Sequence, residues 1–230
     1  MLRQRIFGIC CGYGDTNDVA HLNTAPMHKL LLDRDPIDGY DLASQPTLSR
    51  FENHRRPVDL YRMGMALVET VIAVHRCRLR PKGCRLITLD LDPTDDPCHG
   101  TQQLSLFNNH YGNWCYLPML AFVSFDDEKD QHLLAAMLRP GTAHAKVGAV
   151  AMMKRLIPRL RRAFPKAMIR VRLDGGFSCP EVLDYLDGAE VQYLVGMRKN
   201  SVLEQAATDD LSLARHSFDE TGQTCAVFGH

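Results

Sequence analysis

The stretch LITLDLDPTDDPCHG, residues 86–100, places Asp90, Asp92, Asp95 and Asp96 within seven positions at the end of an apolar alternation. On an extended chain successive side chains face opposite ways. Leu86, Thr88, Asp90 and Asp92 therefore share one side, and Ile87, Leu89 and Leu91 the other. The second set reads as a core face. The first ends in carboxylates, which are costly to bury unless something cationic lies beside them. Pro93 cannot extend a hydrogen-bonded ladder, so it ends the strand and leaves Asp92 at the rim of the sheet. Asp95 and Asp96 read as turn formers that bond nearby backbone amides.

Working outward, further strands are expected over 114–126, over 132–141 with Pro140–Gly141 as a turn, over 167–177 and over 191–200. A helix is expected over 145–164, kinked or divided at Pro158, and another over 178–190 with Ser178 as N-cap and Gly188 at its end. The order is three strands, helix, strand, helix, strand. Short turns between the first three make them antiparallel, and helical crossovers bring in the last two as parallel strands. The fold class is thus a mixed α/β sheet with strands one and four as neighbours. That order sets Asp92 beside Asp174, a second strand-end acid followed by Gly175 and Gly176. Two adjacent carboxylates repel, and a divalent cation relieves the repulsion. Oxygen ligands without a supporting His/Cys set favour Mg²⁺ or Mn²⁺. Cys98 and His99 suit zinc, but two further spaced ligands are missing. Asp90, deeper on the same face, stays open as an alternative ligand, and Asp174 taken alone also reads as a cap for helix 178–187.

The chain has 230 residues and a formal net charge of zero, so global charge points to no partner. Distribution says more: from Arg139 to Leu173 there are ten Lys or Arg residues and no acid. Residues 2–82 read as helices and turns, with starts at Ser44 or Thr47 and at Pro57. Within the long, apolar-rich helix 57–79, Leu60, Met63, Leu67, Val71 and Val74 recur at spacings of three and four. Arg50, Arg55 and Arg56 suit a DNA contact of helix-turn-helix type, and a packed helical bundle explains the same residues equally well. A helical piece over 201–214 is expected to pass into the opening of a hairpin. The expected organisation is 1–82, 83–200 and 201–230. The eight cysteines have no paired spacing and read as reduced thiols of a cytoplasmic protein. No segment reads as a signal peptide or a membrane span.

The segments QRIFGICCGYGDTNDVAHLNTAP, LASQPTLSRFENH, LITLDLDPTDDPCHGTQQLSLFNNHYGNWCYLPMLAF and VRLDGGFSCPEVLDYL resemble, in this order, the DDE transposases of bacterial insertion sequences, specifically the DDE group 1 transposase domain. The resemblance implies a ribonuclease-H-like core of the retroviral-integrase superfamily and Mg²⁺-dependent chemistry, with Mn²⁺ as substitute. Water attacks phosphodiester bonds at transposon ends, and the freed 3′-hydroxyl attacks target DNA. It implies Asp92 as the first metal ligand, with Asp90 and Asp95 as other registers, and Asp174 as the second. The third acid, a glutamate, belongs on a later helix beyond a β-rich insertion. Glu204 lies too early for it and Glu220 falls in the expected hairpin opening, so the chain reads as truncated, with an incomplete site. The implied partner is double-stranded DNA, both insertion-sequence ends and target, gripped through Lys154, Arg155, Arg159, Arg162 and Arg50. The complete protein is implied to act as a homo-oligomer near the bacterial nucleoid. A DNA-binding remnant without catalysis and a metal-dependent nuclease are the alternatives.

Overall fold

The computed structural model describes residues 1–100, 102–197 and 200–222. The chain divides into two units, residues 1–64 and 65–230. In the first, α1 (Leu2–Cys10), α2 (Val19–Leu22), α3 (Pro26–Leu31) and α4 (Gln45–Asn53) enclose Val19, Leu22, Leu42 and Leu48. Two buried polar side chains there, Gln4 and Lys29, find backbone partners. The Gln4 amide donates to the Ala43 carbonyl at 2.9 Å and accepts the Ala43 N–H at 3.1 Å. Lys29 Nζ donates to Gly39 O at 2.8 Å and pairs with Asp41 at 3.1 Å. Ser44 is the N-cap of α4, as read from the sequence.

Helix α5 (Pro57–Leu79) starts at the expected proline and crosses the boundary between the units, which falls at Gly64 and not at residue 82. The reason is packing: Val68, Ile72 and Leu79 belong to the core of the second unit. With His75 they form the buried face, at spacings of four, three and four. The apolar series that recurs at three and four in the sequence is a different one and is not the buried face. Leu60, Met63, Leu67 and Val74 are exposed and Val71 is only partly buried. The polar residue on the buried side of α5, His75, stacks on Phe125 with ring centroids 4.8 Å apart.

The second unit is built on β1 (Leu86–Pro93), whose alternation holds: Ile87 and Leu89 are fully buried and Leu91 nearly so. A small sheet follows, formed by β2 (Asp96–Pro97), β3 (Leu106–Asn108) and β4 (Asn113–Tyr116) in the order β2-β4-β3. The main sheet resumes with β5 (Met119–Phe125) and β6 (His132–Met137). Helix α6 (Ala149–Ala163) leads to β7 (Met168–Leu173), and α7 (Pro180–Gly188) leads to β8 (Gln192–Val195). The main sheet has the order β6-β5-β1-β7-β8, antiparallel for β1–β5 and β5–β6 and parallel for β1–β7 and β7–β8. This is the mixed, ribonuclease-H-like arrangement that was expected. Helix α6 closes the core with Met152, Met153, Leu156, Ile157 and Leu160.

Five local expectations are corrected. The first two main strands are joined by the small sheet and not by a short turn. The expected strand 114–126 is two strands broken at Leu117–Pro118, because proline cannot donate to a ladder. Helix α6 runs through Pro158 without dividing; that residue lies on the exposed side, where water can satisfy the carbonyl left without a donor. The N-cap of α7 is Cys179, with Pro180 in its first turn, and not Ser178. Beyond Asn200, whose side chain caps α8 (Ser201–Ala206), the chain continues as α9 (Thr208–Thr221) where a hairpin was expected. Asp209 and Asp210 favour the start of α9, and Gly222 in the left-handed region ends it. The remainder of the expected hairpin, residues 223–230, lies outside the described residues.

Candidate active site

Strands β1 and β7 are parallel and pair Leu91 with Leu173 as their last registered residues. The next residue on each is an aspartate, so Asp92 and Asp174 leave neighbouring strands at one level. Asp92 feels its neighbours: partial burial, then the charges of Asp174 and Asp90, push its carboxyl above the ordinary carboxylate value. Asp174 is fixed by its own turn. Gly176 N–H donates to its Oδ1 at 2.9 Å, so it caps the 3-10 turn Gly175–Phe177 and not α7.

There is little room around that turn. A Cβ on Gly176 would lie 2.8 Å from the Ala145 Cβ and 3.0 Å from Asp174 Oδ1. A Cβ on Gly196 would lie 3.0 Å from Gly175 N. Ala145 belongs to a loop gathered by Arg139. That buried guanidinium donates to Leu117 O at 2.8 Å, and to His144 O, Ala145 O and Val147 O at 3.0–3.2 Å. Arg139, counted in the sequence as part of a basic band, is thus an internal clamp between β5's approach and the loop against Gly176.

Asp90 occupies a different situation two residues away. It faces Arg172 across the β1–β7 ladder, with Nε to Oδ1 at 2.5 Å and Nη2 to Oδ2 at 2.7 Å. Gln131 Nε2 donates to Oδ2 at 3.0 Å. Its oxygens are therefore engaged by donors. The sequence carried the signal: Arg172 precedes Asp174 by the same two residues that separate Asp90 from Asp92. Asp95 accepts from Asn113 Nδ2 at 3.1 Å, and Asp96 pairs with Tyr116 in the small sheet; neither is the turn residue expected. Tyr111, which sequence reasoning missed, lies in the connection between β3 and β4. Its hydroxyl is pushed above the usual tyrosine range by partial burial and by the charges of Asp95, Asp92 and Asp174.

The basic band resolves into parts. Arg139 and Arg172 serve the site's architecture, and Arg161 donates to Ala189 O at 2.5 Å and Glu190 O at 2.8 Å at the end of α7. On the outer side of α6, Lys154 sits over the Tyr185 ring at 5.7 Å and Arg155 donates to Ala151 O at 2.6 Å. Arg159 pairs with Glu69 at 3.1 Å, and Arg162 is exposed. Arg50 is exposed on α4 in the other unit.

Two adjoining carboxylates, one with a raised pKa and neither ion-paired to a described cation, suit a hard divalent cation. Among the described residues no third His, Cys, Asp or Glu completes a ligand group with them. No helix among those residues is long and apolar enough to cross a membrane.

Comparison with known proteins adds the following. The family model described as "Transposase DDE domain group 1" matches residues 1–228. No curated protein matches the sequence. Among solved structures, the Mos1 transposase paired-end complex with left transposon end aligns with a TM-score of 0.30 at 14% identity, over 86% of this chain and 70% of that one. The pre-cleavage Mos1 transpososome gives 0.30 and 14%, over 78% and 57%. The Mos1 strand transfer complex gives 0.30 and 13%, over 87% and 70%.

Proposed function

The chain belongs to the DDE group 1 transposase family, and from that premise we propose that it cleaves and joins DNA through Asp92 and Asp174. Members of the family use a divalent metal; here Mg²⁺, with Mn²⁺ as substitute, is the ion the two carboxylates would hold. The observation that carries this reading is the pairing of Leu91 with Leu173, which brings two strand-end acids together from positions far apart in sequence. The raised pKa of Asp92 supports it, because repulsion between the two acids is what a bound cation relieves. When bound there, the ion supplies Lewis-acid stabilisation of the oxygens around a reacting phosphorus.

The chain's own residues supply the rest. Gly176 N–H orients Asp174, and Arg172 neutralises Asp90 so that the site's unbalanced charge stays with Asp92 and Asp174. Tyr111 brings a protonated phenol to the same neighbourhood as a donor to phosphate oxygen. Lys154, Arg155, Arg159 and Arg162 contact phosphates of double-stranded DNA, transposon end or target, without reading sequence. Arg50 does so from the other unit. The protein works in the cytoplasm at the nucleoid as a homo-oligomer. A second reading, binding without cleavage, is favoured by the lack of a third acid among the described residues.

Mn²⁺-dependent nicking of supercoiled plasmid decides between them. The proposal expects nicking by the wild-type chain and a loss of at least about 100-fold in Asp174→Asn. Gel-shifted DNA that is never cut establishes the binding-only reading. Nicking that survives Asp174→Asn removes this site from the chemistry.

A further inference from the structure

We infer that the cleft between the C-terminal half of α5 and the end of α6 is a second phosphate-gripping surface, one that holds duplex DNA about six base pairs away from the reacting phosphate. Three adjoining hollows share Arg76 as a wall. Around them stand Arg80, Arg159, Arg162 and Lys166, above an apolar floor that includes Ile72, Leu79, Ala163 and Phe164. Long cationic side chains lay their stems on such a floor and keep their charges at the rim. The inference rests on the reading of the chain as DNA-binding, and it extends that reading to Arg76 on α5 and Arg80 in the turn after it.

Charge pairing separates this cleft from its surroundings. On the other side of α5, Arg78 is neutralised by Glu128 through two bonds of 2.6 and 2.7 Å, and Arg85 lies 3.9 Å from Asp127. Among the described residues that line the cleft, the one acid is Glu69, held by Arg159. Arg76, Arg80, Arg162 and Lys166 make no ion pair with a described residue and are exposed. The cations are spread over three adjoining hollows and not gathered in one. Arg76 and Arg80 follow the end of α5 into the turn after it, and Arg159 and Arg162 follow α6 toward Lys166 in the next turn; Arg159 and Arg162, three apart on one helix, stand about 5–6 Å apart. Cations spread in that way suit a polyanion whose charge repeats about every 3.4 Å along each strand.

Position then fixes the register. Gly83 and Cys84 line the cleft just before β1, and Pro165 and Lys166 just before β7. The cleft is thus at the entry ends of the strands whose exits carry Asp92 and Asp174. Six residue steps from Leu86 to Asp92, at about 3.3 Å each, separate the two ends by about 20 Å. Along a duplex, that is about six base pairs.

The test measures binding of the full chain to a fluorescein-labelled 30-base-pair duplex by anisotropy across a salt series. Arg76→Glu/Arg80→Glu is expected to weaken binding at least tenfold at 100 mM salt. It should also reduce the slope of log affinity against log salt by about 2. Arg76→Gln/Arg80→Gln should give a smaller change in the same direction, and unfolding temperature checks that both variants fold. Arg85→Glu reverses an exposed charge at the same end outside the cleft and is expected to change affinity less than threefold. Unchanged affinity in both pairs of variants overturns the inference, as does an equal loss in Arg85→Glu, a loss confined to duplex RNA, or failure of the wild-type chain to bind DNA. The plasmid-nicking result is independent. Loss of binding in the cleft variants with nicking indifferent to Asp174→Asn sustains the cleft and removes the proposed active site; the reverse pattern removes the cleft alone.

Discussion

At the exit end of β1 and β7, Asp92 and Asp174 stand among groups that are held in place: Gly176 without room for a methyl, Ala145 pressed on it, Arg139 clamping the loop behind. At the entry end, Arg76, Arg80, Arg162 and Lys166 are exposed and unpaired with described residues. One sheet therefore carries a constrained anionic end and a loose cationic end. The difference follows from what each would bind. A small cation is discriminated by ligand geometry and needs fixed oxygens. A phosphate backbone is attracted by charge and tolerates mobile side chains.

The contrast can be broken at its rigid end first. Arg139→Met strands four carbonyl acceptors and empties a buried polar pocket, so it should cost about 3 kcal/mol or more and lower Tm by about 6 °C or more. Calorimetry reads this, and a fall under 2 °C means the loop is not clamped. Gly176→Ala forces the new methyl against Ala145 and Asp174, at an expected cost of about 1–3 kcal/mol. Mn²⁺ affinity, followed by the resonance of the free ion, should drop about tenfold. Unaltered affinity would show that Asp174 needs no such confinement.

Smaller effects sharpen the distinction between the two aspartates of one strand face. Asp90→Asn should leave nicking within about threefold of wild type, since Arg172 and Gln131 already engage that carboxylate. A loss comparable with that of Asp174→Asn would make Asp90 a ligand. The smallest expected effect concerns pH. Asp92 has a folded-state pKa above its ordinary 3.8, so the metal-free folded chain binds that proton more tightly than the unfolded chain. Its contribution to stability is complete below 3.8 and is lost as pH rises through the raised folded value. Asp92→Asn should therefore flatten this decline and raise the metal-free Tm at neutral pH by about 1–2 °C. A Tm lowered by the same substitution would contradict repulsion at the site.

Period-two alternation at 86–92 was enough to fix the central strand and its two faces, because one side is wholly apolar and the other ends in acids. The order of elements then brought Asp92 and Asp174 together. What escaped the sequence had specific physical causes. Helix α5 carries apolar residues outside its buried face too, so periodicity could not tell the face of Val68 and Ile72 from that of Leu67 and Val74. Arg139 and Arg172 look like neighbours in a basic band, yet one is buried among carbonyls and the other paired across strands. Charge counting treats all cations alike, whereas burial and register separate them. Arg76 and Arg80, at and just past the end of α5, lie far from Arg162 in sequence, so no local pattern joins them.

The small sheet between β1 and β5 also bears on chain entropy. Residues 94–118 would otherwise be a long loop to close before Pro93 could meet Met119. Thr94 N–H donates to Pro118 O at 3.1 Å and Cys98 N–H to Trp114 O at 2.9 Å, so the excursion is tied at its neck by its own bonds. The central antiparallel pair then closes on a preformed neck, and the remaining loop between β2 and β3 carries little of the closure cost. Because that cost grows only with the logarithm of length, about 0.6 kcal/mol per doubling, added residues between Pro97 and Leu106 should be cheap for the fold. The same protein can lengthen or vary that connection without renegotiating the sheet that holds its carboxylates.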